Sequence, residues 1–349
     1  MNDGNMQEND IKYNKKEARR KKLRRKRRIF RCFVIILLVL SAVVGNQAAA
    51  FKWKLQNTLN LVNRDSSVDL KEIEKKYLNG ESSVSDDSII NILLIGADKR
   101  ESWNEAGRSD SCMIATIDMK HKKLKLTSLM RDMYVDIPGY GKHKFNAAYS
   151  YGGVDLLYKT ILSNFGFKVE GYALVDFAAF KKVINELGGV KIKLTDAEHS
   201  YLMSAYHRTS VLKLKPGINN MNGTQALAYC RIRQDIKGDF GRTERQRYVI
   251  GQIFTKMKTR PLSKWYETAE VILPEVTSDL TAEQIMDYMT NVILMGTTEI
   301  NQLRIPIDGS FSNESVNGQD VLAIDIEQNV RAYNEFVFEN LALDTHSHN

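Results

Sequence analysis

Cysteine is scarce: the chain has three in 349 residues, at positions 32, 112 and 230. Cys32 lies in a long apolar run, so the rest of the chain can form at most one bridge, and a disulfide scaffold is excluded. Cys112 and Cys230 both fall in apolar runs and read as buried thiols. Five prolines and 21 unperiodic glycines exclude collagen-like and Pro-rich chains. The histidines at 121, 143, 199, 207, 346 and 348 have no zinc-ligand spacing. No Gly-x-Ser-x-Gly, no P-loop and no Gly-x-Gly-x-x-Gly occurs, so the signatures of a nucleophile elbow, an NTPase and a dinucleotide site are missing. Disorder is excluded by ordinary globular values of 43% hydrophobic and 26% charged residues.

The net charge of +8 is unevenly placed. Residues 1–31 carry 13 Lys/Arg against four acids, and the remaining 318 hold 37 basic and 38 acidic side chains. The body is nearly neutral, which weighs against a nucleic-acid-binding domain. Immediately after the basic run, residues 29–51 form the one apolar stretch long enough, as a helix, to cross about 30 Å of hydrocarbon. The positive flank precedes it, so residues 1–28 are expected in the cytoplasm and the chain beyond 51 outside. Ala48-Ala49-Ala50 would suit signal-peptide cleavage. A basic lead of nearly thirty residues is long for that, and the expectation is an uncleaved signal anchor. Attraction to anionic lipid accounts for the basic tail without invoking nucleic acid.

Residues 52–87 are polar and turn-rich and read as a membrane-proximal stalk, with an amphipathic stretch over 68–78. Buried strands are expected at 89–95, 112–117 and 124–130, where apolar runs are nearly continuous. Helical spacing over 146–165 and 177–187 alternates with extended runs at 172–175 and 190–194. Gly188-Gly189 is a C-cap signal. Asn222-Gly-Thr-Gln225 and Thr281-Ala-Glu-Gln284 resemble capping boxes. A strand at 301–307 and a helix from 325 to about 341 close the pattern. The expectation is one α/β domain over 88–342, with a central mixed sheet flanked by helices, and a disordered tail over 343–349.

Beyond residue 51 the cations are 24 Lys and 13 Arg, and seven of those arginines fall in four short blocks. These are Asp98-Lys99-Arg100 with Arg108-Ser109-Asp110; Arg131-Asp132; Arg231-Ile232-Arg233; and 238–246, with Arg242 and Arg245. Arginine recognises multi-oxygen anions through paired hydrogen bonds. If the first two strands pair as a hairpin, Asp98 and Asp110 emerge at one sheet edge. Two carboxylates with phosphate oxygens suit Mg²⁺. Arg231 and Arg233 share a face of an extended segment. Arg242 and Arg245 share a face near a helix N-terminus, where anions are favoured. Surface ion pairing within each block is the competing explanation. Tyr149 and Tyr151 read as packing residues.

At these blocks the sequence closely resembles the LytR-CpsA-Psr family of cell-envelope proteins. The matching text includes Asn91-Ile-Leu-Leu-Ile-Gly-Ala-Asp98, Arg108-Ser-Asp110, Arg131-Asp-Met-Tyr-Val-Asp-Ile-Pro-Gly139, Lys144-Phe-Asn-Ala-Ala-Tyr149 and Tyr151-Gly-Gly153. It continues through Val175-Asp-Phe177, Leu187-Gly-Gly-Val190, Pro216-Gly217, Asn222-Gly-Thr-Gln-Ala-Leu-Ala-Tyr229, Arg231-Ile-Arg233 and Gly238-Asp-Phe-Gly-Arg-Thr-Glu-Arg-Gln246. Met130 and Ala97 depart from the family pattern, and neither change removes a charge.

The resemblance implies a membrane-anchored, outward-facing domain. Such proteins transfer a glycopolymer (teichoic acid or capsular polysaccharide) from a polyprenyl-pyrophosphate carrier to peptidoglycan, with Mg²⁺. It matches Asp98 and Asp110 to the metal-associated acids. Arg108, Arg131, Lys144, Arg231, Arg233, Arg242, Arg245 and Gln246 fall at the pyrophosphate-binding positions. Arg100 falls where the family is looser. The catalytic set is Asp98, Arg108, Asp110, Arg131 and Asp132, with the base left open among Asp132, Asp98 and Asp110. Three other readings remain: a lipid pyrophosphatase, a non-catalytic binder of lipid-linked precursors, and an envelope-related transcriptional attenuator. The last leaves DNA only the 28-residue tail.

Overall fold

The computed structural model describes residues 53–340 except 55, 78–85, 98–106, 108, 207–209, 234–237 and 298. The expected cytoplasmic tail, anchor and C-terminal tail lie outside the described residues, as do Asp98, Arg100 and Arg108.

The chain opens with β1 (Asn63–Arg64) and α1 (Leu70–Tyr77), followed by three long strands, β2 (Ile89–Ala97), β3 (Ser109–Asp118) and β4 (Lys123–Leu129). A hairpin of β5 (Met133–Ile137) and β6 (Gly141–Lys144) leads to α2 (Ala147–Phe165), β7 (Gly171–Asp176) and α3 (Phe177–Glu186). Next come β8 (Val190–Leu194), α4 (Asp196–Ala205), β9 (Gly217–Met221), α5 (Gly223–Cys230), α6 (Gly238–Lys258) and α7 (Leu262–Ile272). The last elements are β10 (Val276–Ser278), α8 (Ala282–Met295), β11 (Ile300–Ile305), β12 (Phe311–Val316), β13 (Gln319–Ile324) and α9 (Ile326–Val337).

Seven strands make the central sheet, in the order β1-β10-β7-β2-β3-β4-β11. The sheet is mixed, as expected: β2, β3 and β4 pair antiparallel, while β7 joins β2 and β11 joins β4 in parallel. Parallel neighbours need long crossovers, and these carry the helices. A second sheet runs β12-β13-β5-β6, and β8 pairs with β9. The expected capping boxes form: Asn222 with Gln225 opens α5, and Thr281 with Gln284 opens α8. Gly188 and Gly189 follow α3 with positive φ, at +71° and +89°.

The two faces of β2 are packed unequally. Ile89, Leu93, Ile95 and Ala97 are fully buried in the main core with Leu157 and Ile161 of α2 and Tyr333 and Phe336 of α9. On the opposite face Ile92, Leu94 and Gly96 stay half-buried. That face has a small cluster, Ile90, Ile117 and Leu124, ringed by half-buried Phe254, Tyr288, Val292 and Met295 from α6 and α8. No residue of α8 is fully buried, despite its apolar stripe. This layer is therefore apolar but only partly shielded from solvent.

β1 and α1, from the 52–87 segment, are docked on the domain. β1 pairs with β10, and the Tyr172 hydroxyl donates to Asp65 at 2.6 Å. Leu70 and Ile73 of α1 are buried in the main core. Cys112 and Cys230 are free and buried. Burial pushes the Cys112 thiol far up and that of Cys230 up to about 12.

Candidate pyrophosphate site

β2 and β3 pair as a hairpin, and the register slips at its open end. Gly96 faces Ser111 and Ala97 faces Ser109, so Asp110 is the extra residue of a bulge. A bulge re-aims the side chain it carries, and here it presents Asp110 to three arginines. Ala97 pairs with Ser109, which precedes Asp110; the expected edge partner, Asp98, lies outside the described residues.

Arg131, just beyond β4, uses each part of its guanidinium on a different carboxylate. Nη1 lies 3.3 Å from Asp110, Nε 3.2 Å from Asp132 and Nη2 3.2 Å from Asp239. Lys144, at the end of β6, holds the other oxygen of Asp132 at 2.9 Å. From the first turns of α6, Arg242 donates to the Asp110 carbonyl at 2.9 Å, and its Nε lies 3.3 Å from Asp239. Arg233 approaches Asp110 at 3.7 Å and keeps about half its side chain in solvent, at 48%.

Arg242 is 2% exposed. Burial brings its pKa down to about 10, with Asp239 and Asp110 acting upward and Arg131 and Arg233 downward. It stays protonated at neutral pH. The four described cations, Arg131, Lys144, Arg233 and Arg242, face three carboxylates, Asp110, Asp132 and Asp239. Among the described residues neither buried oxygen of Asp239 has a hydrogen-bond partner, and its Oδ1 is the atom that faces both arginines. Among the described residues the cluster holds one more cation than carboxylate, which suits it to receive an anion.

The other expected site residues that the structure describes are Arg231, Arg245 and Gln246. Arg231 follows α5 with its guanidinium 4.9 Å from the ring centroid of Phe177, the first residue of α3. Asp176, just before Phe177, is the register partner of Ala97, which puts Arg231 over the same end of the sheet. Arg231 and Arg233 are both exposed on either side of buried Ile232, but Arg231, at φ −103° and ψ 1°, is not in the extended backbone that the expected shared face requires. Arg245 does not join Arg242 at Asp110. Its Nε donates to Glu198 of α4 at 3.1 Å and its Nη1 to the Ile232 carbonyl at 3.3 Å. It thereby props the segment that carries Arg231 and Arg233. Gln246 is half-buried on α6.

Asp239 and Glu198 were not singled out in the sequence. Asp239 had a usable signal, its three-residue spacing from Arg242 at a helix start. Glu198 is 47 residues from Arg245 and had none.

Among the described residues no group of three or more His, Cys, Asp or Glu could hold a metal ion. Mg²⁺ does not need such a cage, because it binds through one or two carboxylates with substrate phosphate. Asp110 is a hard oxygen donor at a partly open edge, and Asp239 has oxygens with no hydrogen bond. The donor chemistry fits.

A family model, the LytR_cpsA_psr family, matches residues 51–336. Over 274 residues the chain is 35% identical to regulatory protein MsrR of Staphylococcus aureus, covering 77% of this chain and 80% of that protein. It is 31% identical over 266 residues to the polyisoprenyl-teichoic acid--peptidoglycan teichoic acid transferase TagU of Enterococcus faecalis, covering 73% and 81%. The crystal structure of Bacillus subtilis TagV shares 29% identity and a TM-score of 0.60, over 72% of this chain and 98% of that one.

Proposed function

The chain belongs to the LytR_cpsA_psr family, and we propose that it is a membrane-anchored, outward-facing phosphotransferase. Its donor is an anionic glycopolymer (wall teichoic acid or capsular polysaccharide) on a polyprenyl-pyrophosphate carrier. Its acceptor is peptidoglycan, and it works with Mg²⁺. The name of TagU supports the teichoic acid donor and the peptidoglycan acceptor. The apolar run at 29–51 and its basic lead support the anchor and the orientation.

One observation carries the reading. The half-buried row Ile92, Leu94 and Gly96 runs along β2 to the bulge that sets Asp110 among the arginines. A half-buried apolar row ending in a cationic cluster has the two chemistries of a lipid pyrophosphate in the right order. The prenyl tail would lie on that row, against Phe254, Tyr288 and Val292.

In the reaction, a sugar hydroxyl of peptidoglycan attacks the phosphorus next to the glycopolymer. A new P–O bond forms, the bond to the departing polyprenyl phosphate breaks, and the hydroxyl proton leaves to a base. Asp132, Asp98 and Asp110 are the candidates for that base. Arg108, Arg131, Lys144, Arg231, Arg233, Arg242 and Gln246 hold and orient the diphosphate, and Arg245 supports the segment that carries Arg231 and Arg233. Charge-assisted donors on the non-bridging oxygens do most of the work in phosphoryl transfer. Arg131 is placed for this because its three carboxylate contacts, all at 3.2–3.3 Å, fix its plane. Asp98 and Asp110 would hold Mg²⁺, which when bound neutralises charge on phosphate oxygens.

The test uses the full chain in detergent with a polyprenyl-diphosphate saccharide, peptidoglycan oligomers and Mg²⁺, read by mass spectrometry. Saccharide-linked peptidoglycan and polyprenyl phosphate are expected, lost with a chelator and in Asp110→Asn. Free saccharide phosphate as the sole product would establish the hydrolase instead. Tight donor binding without turnover would establish the binder.

A further inference from the structure

Two tyrosines stand in solvent, Tyr140 at the turn of the hairpin whose other end carries Lys144 and Tyr151 in the first turns of α2. Tyr140 is 52% exposed and Tyr151 42% exposed, yet their rings stack with centroids 4.7 Å apart at 23°. His143 meets Tyr151 edge-on at 5.6 Å. The pile therefore runs His143, Tyr151, Tyr140, and Tyr140 ends it. The neighbouring Tyr149, by contrast, is buried in the core as packing.

Both positions are over-determined by local geometry. The Tyr140 N–H donates to the Ile137 carbonyl at 2.8 Å, closing a turn with Pro138 second and Gly139 third at φ +84°. That is the residue pattern of a type II turn. Tyr151 precedes Gly152 and Gly153, whose non-helical dihedrals break α2 just after it. Exposed, pre-ordered aromatic faces lose little entropy on binding, which is how aromatic recognition surfaces are built.

Position identifies the ligand class. Tyr140 leads directly into β6, the edge strand of its sheet, and β6 ends at Lys144, which holds Asp132. Four residues of extended chain span about 13 Å, the reach of a short oligosaccharide from the phosphate cluster. A pyranose ring offers an apolar C–H face, which suits the electron-rich face of an aromatic ring. We propose that Tyr140, Tyr151 and His143 form a saccharide subsite that holds sugar rings leaving the phosphate site. The assignment rests on the transfer reading above. It names a shared chemistry, because the sugar could belong to the acceptor glycan or to the donor.

The experiment measures binding without turnover, on the full chain in detergent, by saturation-transfer NMR. The probes are a neutral β-1,4-linked N-acetylglucosamine oligomer, standing for the acceptor, and the same saccharide bearing a 1-diphosphate, standing for the donor. Tyr140→Ala should weaken at least one probe about tenfold, Tyr151→Ala should do the same, and Tyr140→Trp should retain affinity. Loss for the neutral oligomer assigns the acceptor; loss confined to the diphosphate probe assigns the donor. Unchanged affinity for both probes in both alanine variants, with unchanged melting, overturns the subsite. Tyrosine-dependent binding in a protein that transfers nothing would keep the subsite and sink the transferase reading.

Discussion

Replacing Asp239 by asparagine should make the protein less stable and a better anion binder at once. The carboxylate lies 3.2 Å from Arg131 and 3.3 Å from Arg242. Arg242 is 2% exposed, and Asp239 is the strongest of the charges that keep it protonated. Removing one partner of a buried pair costs about 3–5 kcal/mol. Arg131 keeps Asp110 and Asp132 here, so a loss of about 2 kcal/mol is expected. For a domain of this size that is a fall in Tm of about 4–8 °C. The same change raises the net charge of the cluster by one, and inorganic pyrophosphate should bind about tenfold tighter, a gain of about 1.4 kcal/mol. Thermal melts with and without pyrophosphate read both effects, because a ligand of the native state raises its stability in proportion to affinity. Asp308→Asn, an exposed partner of Arg304, is the control and should change stability by less than about 0.5 kcal/mol. If Asp239→Asn melts with the wild type and binds pyrophosphate no tighter, the cationic-cluster argument is wrong.

Two further outcomes follow from the core. Asp118 is buried and would be pushed up by that burial. Its hydrogen bonds from Lys125 at 2.6 Å and from His121 outweigh this and hold its carboxyl below the usual aspartate range. A depressed acid stabilises the fold above its unfolded pKa and loses that contribution as pH falls through the folded value. Asp118→Asn should therefore cost about 3 kcal/mol at neutral pH, and the gap to wild type should narrow below about pH 4 in urea melts; a constant gap would refute the pairing. Cys112 and Cys230 should resist alkylation at pH 8 until the protein is denatured, read by peptide mass spectrometry.

The arginine blocks were legible because this chain uses lysine as its general surface cation, so local concentrations of arginine stood out. Six of the expected residues, Asp110, Arg131, Asp132, Lys144, Arg233 and Arg242, meet in one network. The hairpin of β2 and β3 was readable from two apolar runs, whereas its bulge was not, since a one-residue slip leaves no mark in composition. Helix spacing put Arg242 and Arg245 on one face, but Glu198 draws Arg245 to a different partner. The spacing of Asp239 from Arg242 was readable, whereas its contact with Arg131 exists only when α6 meets the end of β4. The docked β1 and α1 were read as stalk since their partners, β10 and α2, are distant in sequence. The unequal packing of the faces of β2 needed the helices in place, since both rows of that strand are apolar.

The central claim, that the phosphoryl group goes to a sugar hydroxyl and not to water, is tested most directly by running the reaction in ¹⁸O-water. The account predicts saccharide-linked peptidoglycan whose phosphate carries no ¹⁸O, with unlabelled polyprenyl phosphate released alongside it. Label in a free saccharide phosphate, with no linked product, would contradict it and make the protein a lipid pyrophosphatase.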